Sequence, residues 1–278
     1  MDKYRDFLGL GIAGNFALHL AQAGEEEDFK DVITADEAAP KGMFPFYLPK
    51  RVESAKEILN TCPLSDFQIK LPNRDVNVQA EPEVGLICKF EYTNGRVSKI
   101  IPTHFGAYND CSIRVAGASK ISDKKNWGAS SKGLSENLIK IDKFSSGGVM
   151  DGYSICSFLK REGEVHAYGE DVGLGGYSYF YEKLLDWMIK QINEQKDFGP
   201  LEPLSQYIST CNYPSNAIIS IGATRYTHYG ETTFLKNGDE IIIAVYNRAK
   251  TNFNDIVKSI KSGIYNLDNM SILRQSVI

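Results

Sequence analysis

The 278-residue chain lacks any apolar run approaching the ~20 residues that a bilayer-spanning helix needs, so a helical membrane protein is not expected. It also lacks a basic excess. The 31 Lys and Arg stand against 35 Asp and Glu, interspersed along the chain for a net charge of −4, and the electrostatic footprint of a nucleic-acid binder is missing. Its five cysteines, Cys62, Cys88, Cys111, Cys156 and Cys211, include no C-x-x-C pair. An odd set of that kind points to reduced thiols and a cytoplasmic setting and away from a disulfide framework. Cys88 and Cys111 lie in apolar strand-like runs and read as packing residues before nucleophiles. Phe7 to Ala23 is fairly apolar but has no basic n-region followed by an apolar core and a small-residue cleavage site, so a signal peptide is not expected. No internal repeat or low-complexity segment is visible.

The length suits one large domain, or one domain with a small appendage. Residues 1–30 read as a short strand over Tyr4 to Leu8, a glycine turn and a helix. Residues 31–50, with Pro40, Pro45 and Pro49 among aromatic residues, read as an irregular loop over the main body. Ser54 to Asn60 is a short helix candidate. From about residue 70 strands dominate: Val84–Phe90, Arg96–Pro102, Ser154–Arg161, Ala217–Ile221 and Glu240–Tyr246. Asn94-Gly95 is a strong hairpin signal, because both residues tolerate positive φ. One long helix is expected over Tyr179 to Asn193, where Leu184, Leu185, Met188 and Ile192 recur at helical spacing and Trp187 reads as core. The expected division is an N-terminal segment, 1–70, and a catalytic body, 71–278.

Two short patterns carry candidate chemistry. Gly9-Leu10-Gly11-Ile12-Ala13-Gly14 matches the dinucleotide-binding fingerprint, which would make the protein a nucleotide-binding oxidoreductase. That fingerprint needs a buried strand before it and a helix after it. Only Tyr4 to Leu8 is available as that strand, and the acidic patch from Glu25 to Asp28 would oppose a phosphate. The second pattern is Glu81-Pro82-Glu83 with Asp110 further on. In a strand, residues i and i+2 face the same way, so Glu81 and Glu83 can aim two carboxylates at one point. Pro82 marks an edge or irregular stretch. These acids are either ordinary solvated carboxylates or oxygen ligands of a hard cation such as magnesium, manganese or calcium.

The run Ala80-Glu81-Pro82-Glu83-Val84-Gly85-Leu86, followed by Asn109-Asp110-Cys111-Ser112-Ile113-Arg114 and then by Ser131-Lys132-Gly133, resembles the fumarylacetoacetate hydrolase superfamily. Those enzymes carry a Glu-x-Glu-Leu strand, an Asn-Asp-x-Ser-x-Arg segment and a later Lys-Gly in the same order. Pro214-Ser215-Asn216-Ala217-Ile218-Ile219-Ser220 and Phe234-Leu235-Lys236-Asn237-Gly238-Asp239 resemble the family's Pro-Gly-Asp-x-Ile-x-Thr and Phe-Leu-x-x-Gly-Asp pieces. Near the N-terminus, Asn15-Phe16-Ala17-Leu18-His19 is similar to its Gly-x-Asn-Tyr-x-x-His segment. The resemblance covers the chain from near residue 8 to about 247.

The resemblance implies an α+β fold, a β-rich mixed sheet rolled into an incomplete barrel, with Glu81, Glu83 and Asp110 around one Mg²⁺ (or Mn²⁺ or Ca²⁺) in a cleft. It implies action on a 2-oxo or β-diketo acid by C–C hydrolysis, decarboxylation or isomerisation, with the metal stabilising an enolate as a Lewis acid. Lys132 would place positive charge beside that enolate. Arg114 would clamp a substrate carboxylate or pair with a metal-binding acid. Thr224 is the aligned substrate-binding residue, and His19, on a lid helix, is the candidate base. A small carboxylate substrate, a homodimer, and no nucleic-acid or membrane partner are the corresponding expectations. The chain departs from the family pattern at Gln22, where a glutamate paired with the histidine is usual, and at Gly85, Leu134-Ser135-Glu136 and Gly222-Ala223-Thr224-Arg225. With Gln22 there, His19 is expected to titrate near its ordinary ~6.5. A non-catalytic scaffold that binds metal and a small acid is the alternative.

Overall fold

The computed structural model describes residues 1–278 except 35, 116, 266, 267 and 269. The first strand, β1 (Leu8–Ala13), is the glycine run itself. Its side chains alternate: Leu8, Leu10 and Ile12 enter the main core, while Gly9 and Gly11 face β2 (Gly42–Tyr47). A Cβ on Gly9 would lie 2.4 Å from the Phe46 ring, and one on Gly11 would lie 2.2 Å from the Phe44 ring. The glycines therefore make room for two aromatic rings, and the run forms no phosphate-binding turn. The nucleotide-binding alternative therefore loses its structural basis, since Asp2–Tyr4 is a 3₁₀ turn and the glycines lie within the first strand, not after one. The expected loop over 31–50 contains β2, buried along its whole length. Pro45 is tolerated because β2 is the edge strand and the β1–β2 register shifts at Gly9/Leu10.

Short strands β3 (Leu64–Ser65), β4 (Gln68–Ile69) and β5 (Asn77–Gln79) lead to a long hairpin, β6 (Pro82–Thr93) and β7 (Arg96–Asn109). Its turn is Asn94-Gly95, with φ of 52° and 74°. Then come β8 (Ser112–Arg114), β9 (Lys132–Leu134), β10 (Ile139–Lys140), β11 (Tyr153–Arg161) and β12 (Glu164–Gly173). Three more strands, β13 (Asn216–Ser220), β14 (Glu240–Asn247) and β15 (Met270–Val277), complete the set. The larger sheet runs β2-β1-β13-β6-β7-β9-β3, with β10 beside β7; the smaller runs β12-β11-β14-β15-β4, and β5 pairs with β8. β7 touches both β14 and β15, and the mixed sheet curls into an incomplete barrel. The β-rich α+β fold expected from the sequence is the fold observed.

Helices cover the outside. The stub α1 (His19–Gln22) and the four-residue α2 (Ser122–Lys125) flank the site described below. α3 (Tyr181–Glu194) buries Leu184, Trp187, Met188 and Ile192 as one stripe against β2 and β7. After α4 (Leu204–Thr210) and α5 (His228–Thr232), α6 (Phe253–Ser262) places Ile256 and Ile260 against Ile242, Ala244 and Tyr246 of β14. The candidate helix over Ser54 to Asn60 is only a 3₁₀ turn at Glu57–Asn60. No helix among the described residues is long and apolar enough to cross a membrane. The five cysteines are free.

Candidate functional site

Three local devices bring the acids together. Asp110 N–H donates to the Glu81 carbonyl at 3.0 Å, and the Asn109 side-chain carbonyl accepts from Glu81 N–H at 3.1 Å, so the end of β7 is stitched to the residue before β6. Asn109 also donates to the Gln275 side chain at 3.0 Å, and Gln275 donates to the Lys132 carbonyl at 3.3 Å. A Cβ on Gly133 would lie 2.4 Å from that same Gln275 amide, which explains the Lys-Gly pair physically. Glu83 is fixed by the Gly222 N–H, which donates to its Oε2 at 3.0 Å from a residue at φ 110°. Ligand atoms of Glu81, Glu83 and Asp110 all lie within 4.8 Å of one another, and the three residues are buried.

Cations surround this cluster. Lys125 Nζ lies 2.6 Å from Glu81 Oε2 and 2.6 Å from Asp110 Oδ2. Lys132 Nζ is 2.5 Å from Asp110 Oδ1, and Arg114 Nη2 is 2.8 Å from Glu81 Oε1. Arg114 is further held by Gln79 at 2.7 Å, Glu25 at 2.8 Å and the Tyr226 hydroxyl at 3.0 Å. Glu25 also accepts from Lys124 at 2.8 Å. Burial alone would raise the Glu81 carboxyl, but Lys125 and Arg114 beside it hold it well below the usual range. Among the described residues no cation forms an ion pair with Glu83, and Lys125 acts on it only weakly. Burial, then Asp110 and Glu81, push its carboxyl well above the usual range and favour the protonated form. Burial lowers Lys132, while Asp110 and Glu81 outweigh burial at Lys125 and hold it charged.

His19 is buried, rests 5.1 Å from the Tyr226 ring centroid, and neither ring nitrogen has a hydrogen-bond partner among the described residues. Burial pulls its pKa down to about 4, which corrects the near-ordinary titration expected from sequence. Gln22 does not orient it. The amide binds the Tyr226 backbone instead, donating at 3.1 Å and accepting at 2.9 Å. The Thr224 hydroxyl is turned to the Pro82 carbonyl at 3.2 Å. The expected cleft is a buried cluster: Asn15 clamps the N-terminal segment over it by donating to Ile221 and Tyr179 carbonyls at 2.8 and 3.1 Å. A cavity of about 470 Å³ flanks α1, lined by Gly14, Phe16, Leu18, Leu20 and Lys41 among others, and contains none of the three carboxylates.

Sequence reasoning missed Lys125, Lys124, Gln275 and Tyr226. Lys124-Lys125 reads as an exposed basic pair, and nothing in its spacing separates it from a surface helix. Oxygen-only donors converging in a buried setting fit a hard divalent cation. Three oxygens of Glu81 and Asp110 already face ammonium groups, two of them that of Lys125.

A profile described as a family of unknown function (DUF5718) matches residues 25–277. No curated protein matches the sequence. Among solved structures, a yeast fumarylacetoacetate hydrolase family protein superposes with TM-score 0.55 at 16% identity, covering 97% of this chain and 92% of that one. A 2-keto-3-deoxy-D-arabinonate dehydratase complexed with magnesium and 2,5-dioxopentanoate gives 0.54 at 16% identity over 97% and 72%. A 5-carboxymethyl-2-hydroxymuconate delta-isomerase from Mycobacterium smegmatis gives 0.50 at 14% identity over 98% and 78%. The resemblance seen in the sequence motifs therefore holds at the level of the fold.

Proposed function

We propose that this chain, which belongs to the family of unknown function DUF5718, is a divalent-metal-dependent enzyme acting on a small 2-oxo or β-diketo acid. The observation that carries this reading is the convergence of Glu81, Glu83 and Asp110 within 4.8 Å, on a fold shared with a dehydratase complexed with magnesium and 2,5-dioxopentanoate. The three carboxylates would hold Mg²⁺, Mn²⁺ or Ca²⁺. When bound, that ion would supply Lewis-acid stabilisation of negative charge developing on the substrate.

The protein's own residues do the rest. Lys132, paired with Asp110, would place its ammonium in a water-poor site, where preorganised charge acts most strongly, although burial works against the charged form. Arg114 spends its donors on Glu81, Glu25, Gln79 and Tyr226, so of its two expected roles we assign the pairing one. Thr224 would meet a substrate only by releasing the Pro82 carbonyl. His19, neutral and with no hydrogen-bond partner on either ring nitrogen among the described residues, could accept a proton, but burial makes it a weak base. That favours decarboxylation or isomerisation over water activation. Access would require the stretch from Phe16 to Glu25 to lift, so the lid role assigned to residues 1–70 falls to this stretch, with 71–278 as the catalytic body. A cytoplasmic homodimer belongs to the same reading. A second reading, metal and acid binding without turnover, is favoured by the closed, ion-paired state of the cluster.

The test is turnover of a panel of oxaloacetate, acylpyruvates and hydroxymuconate-type acids with Mg²⁺ or Mn²⁺, alongside Lys132→Met and His19→Ala. Lys132→Met should lose turnover while keeping metal binding. His19→Ala should lose about 10²-fold of any hydrolytic rate with metal binding intact. Metal binding with no turnover across the panel would select the second reading.

A further inference from the structure

The Lys125 ammonium is the only cation that bridges two members of the carboxylate cluster among the described residues, at 2.6 Å from Glu81 and 2.6 Å from Asp110. Its side chain is buried and passes over the Phe44 ring, with Nζ 5.3 Å from the centroid. The remaining oxygens of the same two acids are taken by Arg114 and Lys132, at 2.8 and 2.5 Å. Arg114 and Lys132 each pair with a single acid of the cluster. Lys125 sits between two of the three acids that would hold a shared ion. An ammonium and a divalent cation cannot both hold the same oxygens, since buried like charges a few ångströms apart repel strongly. The carrier is suited to exchange. Lysine presents a point charge on a flexible four-carbon stem, unlike the fork of Arg114. The backbone beneath it is anchored separately, by the Asn126 amide donating to the Phe46, Ile58 and Thr61 carbonyls.

We infer that Lys125 is the resident counter-ion of this centre, and that a divalent metal binds only by displacing its ammonium from Glu81 and Asp110. The inference rests on the metal reading above and adds an internal competitor to it. Lys125 keeps the carboxylates compensated while the protein is metal-free, and it lowers metal affinity by the work of displacement. Removing the charge should therefore tighten metal binding, the reverse of what loss of a supporting residue does.

Mn²⁺ titration by calorimetry compares wild type with Lys125→Met, Lys125→Gln and Lys125→Arg. Lys125→Met should bind Mn²⁺ at least about tenfold more tightly, since the displaced charge is gone. Lys125→Gln, a neutral variant that can still donate to a carboxylate and so guards against misfolding, should also bind more tightly. Lys125→Arg should bind no more tightly than wild type. Thermal melts should show Lys125→Met less stable than wild type in chelator and raised further by Mn²⁺, as binding linkage requires. Equal or weaker Mn²⁺ binding by both neutral variants, with wild type binding, would overturn the inference and leave the metal reading standing. No Mn²⁺ binding by any of the proteins would overturn both.

Discussion

Two regions of the molecule, strand β14 and the joined ends of β6 and β7, bury their side chains and spend that burial differently. In β14, Ile241, Ile243 and Val245 face the main core while Ile242, Ala244 and Tyr246 face α6, and every one is apolar or aromatic. At the joined ends of β6 and β7, the buried groups are Glu81, Glu83 and Asp110, with the equally buried Lys125 and Lys132 paired to Glu81 and Asp110. Burying ions is costly, and well-packed apolar residues of the same volume often give equal or greater stability. A fold selected for stability alone would repeat the β14 solution at both places. The charged end is therefore where the molecule gives up apolar packing for buried, paired charge.

The comparison can be strained from both sides. The largest loss is expected from Asp110→Ala, which strips Lys125 and Lys132 of their shared carboxylate. Chemical denaturation should show a loss of about 3–5 kcal/mol, the usual result of breaking a buried pair. Ile243→Ala in β14 should cost about 3 kcal/mol through a cavity, and Mn²⁺ should leave its unfolding shift unchanged relative to wild type. A smaller effect is expected at Glu202, buried beside Ser122 at the start of α2. Burial raises its carboxyl from 4.5 to about 7, so the folded protein holds an extra proton between those values. Stability attributable to this group falls as pH rises through that window. Glu202→Gln should thus gain about 2–3 kcal/mol over wild type at pH 8 and little at pH 4, read from melts at the two pH values. The smallest change belongs to Glu83→Gln. Its carboxyl already favours the protonated form, so the amide should alter stability by less than about 1 kcal/mol at neutral pH.

Legibility followed the range of the interactions. Asn94-Gly95 specifies its hairpin through local φ preferences, and Leu184, Met188 and Ile192 specify α3 through spacing. Glu81 and Glu83 were readable as neighbours because strand periodicity is local. The glycines of β1 were misread because their reason, the rings of Phe44 and Phe46, lies on another strand. β2 was hidden by Pro45, which only an edge position tolerates. α6 was overlooked although Asn252 caps it, accepting from Asp255 N–H at 3.1 Å, and Gly263 ends it at φ 71°. Phe253, Ile256, Val257 and Ile260 recur at helical spacing, so α6 carries a local signal as clear as that of α3. Burial of the site, and Lys125 within it, arise from tertiary packing that no local pattern encodes.

The proposed metal centre of Glu81, Glu83 and Asp110 makes a direct demand on binding. It is tested most directly by titrating Mn²⁺ into wild type and Glu83→Gln under identical conditions. The account predicts one ion per wild-type chain and affinity weakened by at least about 10²-fold in Glu83→Gln, beyond what loss of a supporting partner does. Equal affinity in the two proteins, or no binding by wild type, would contradict it.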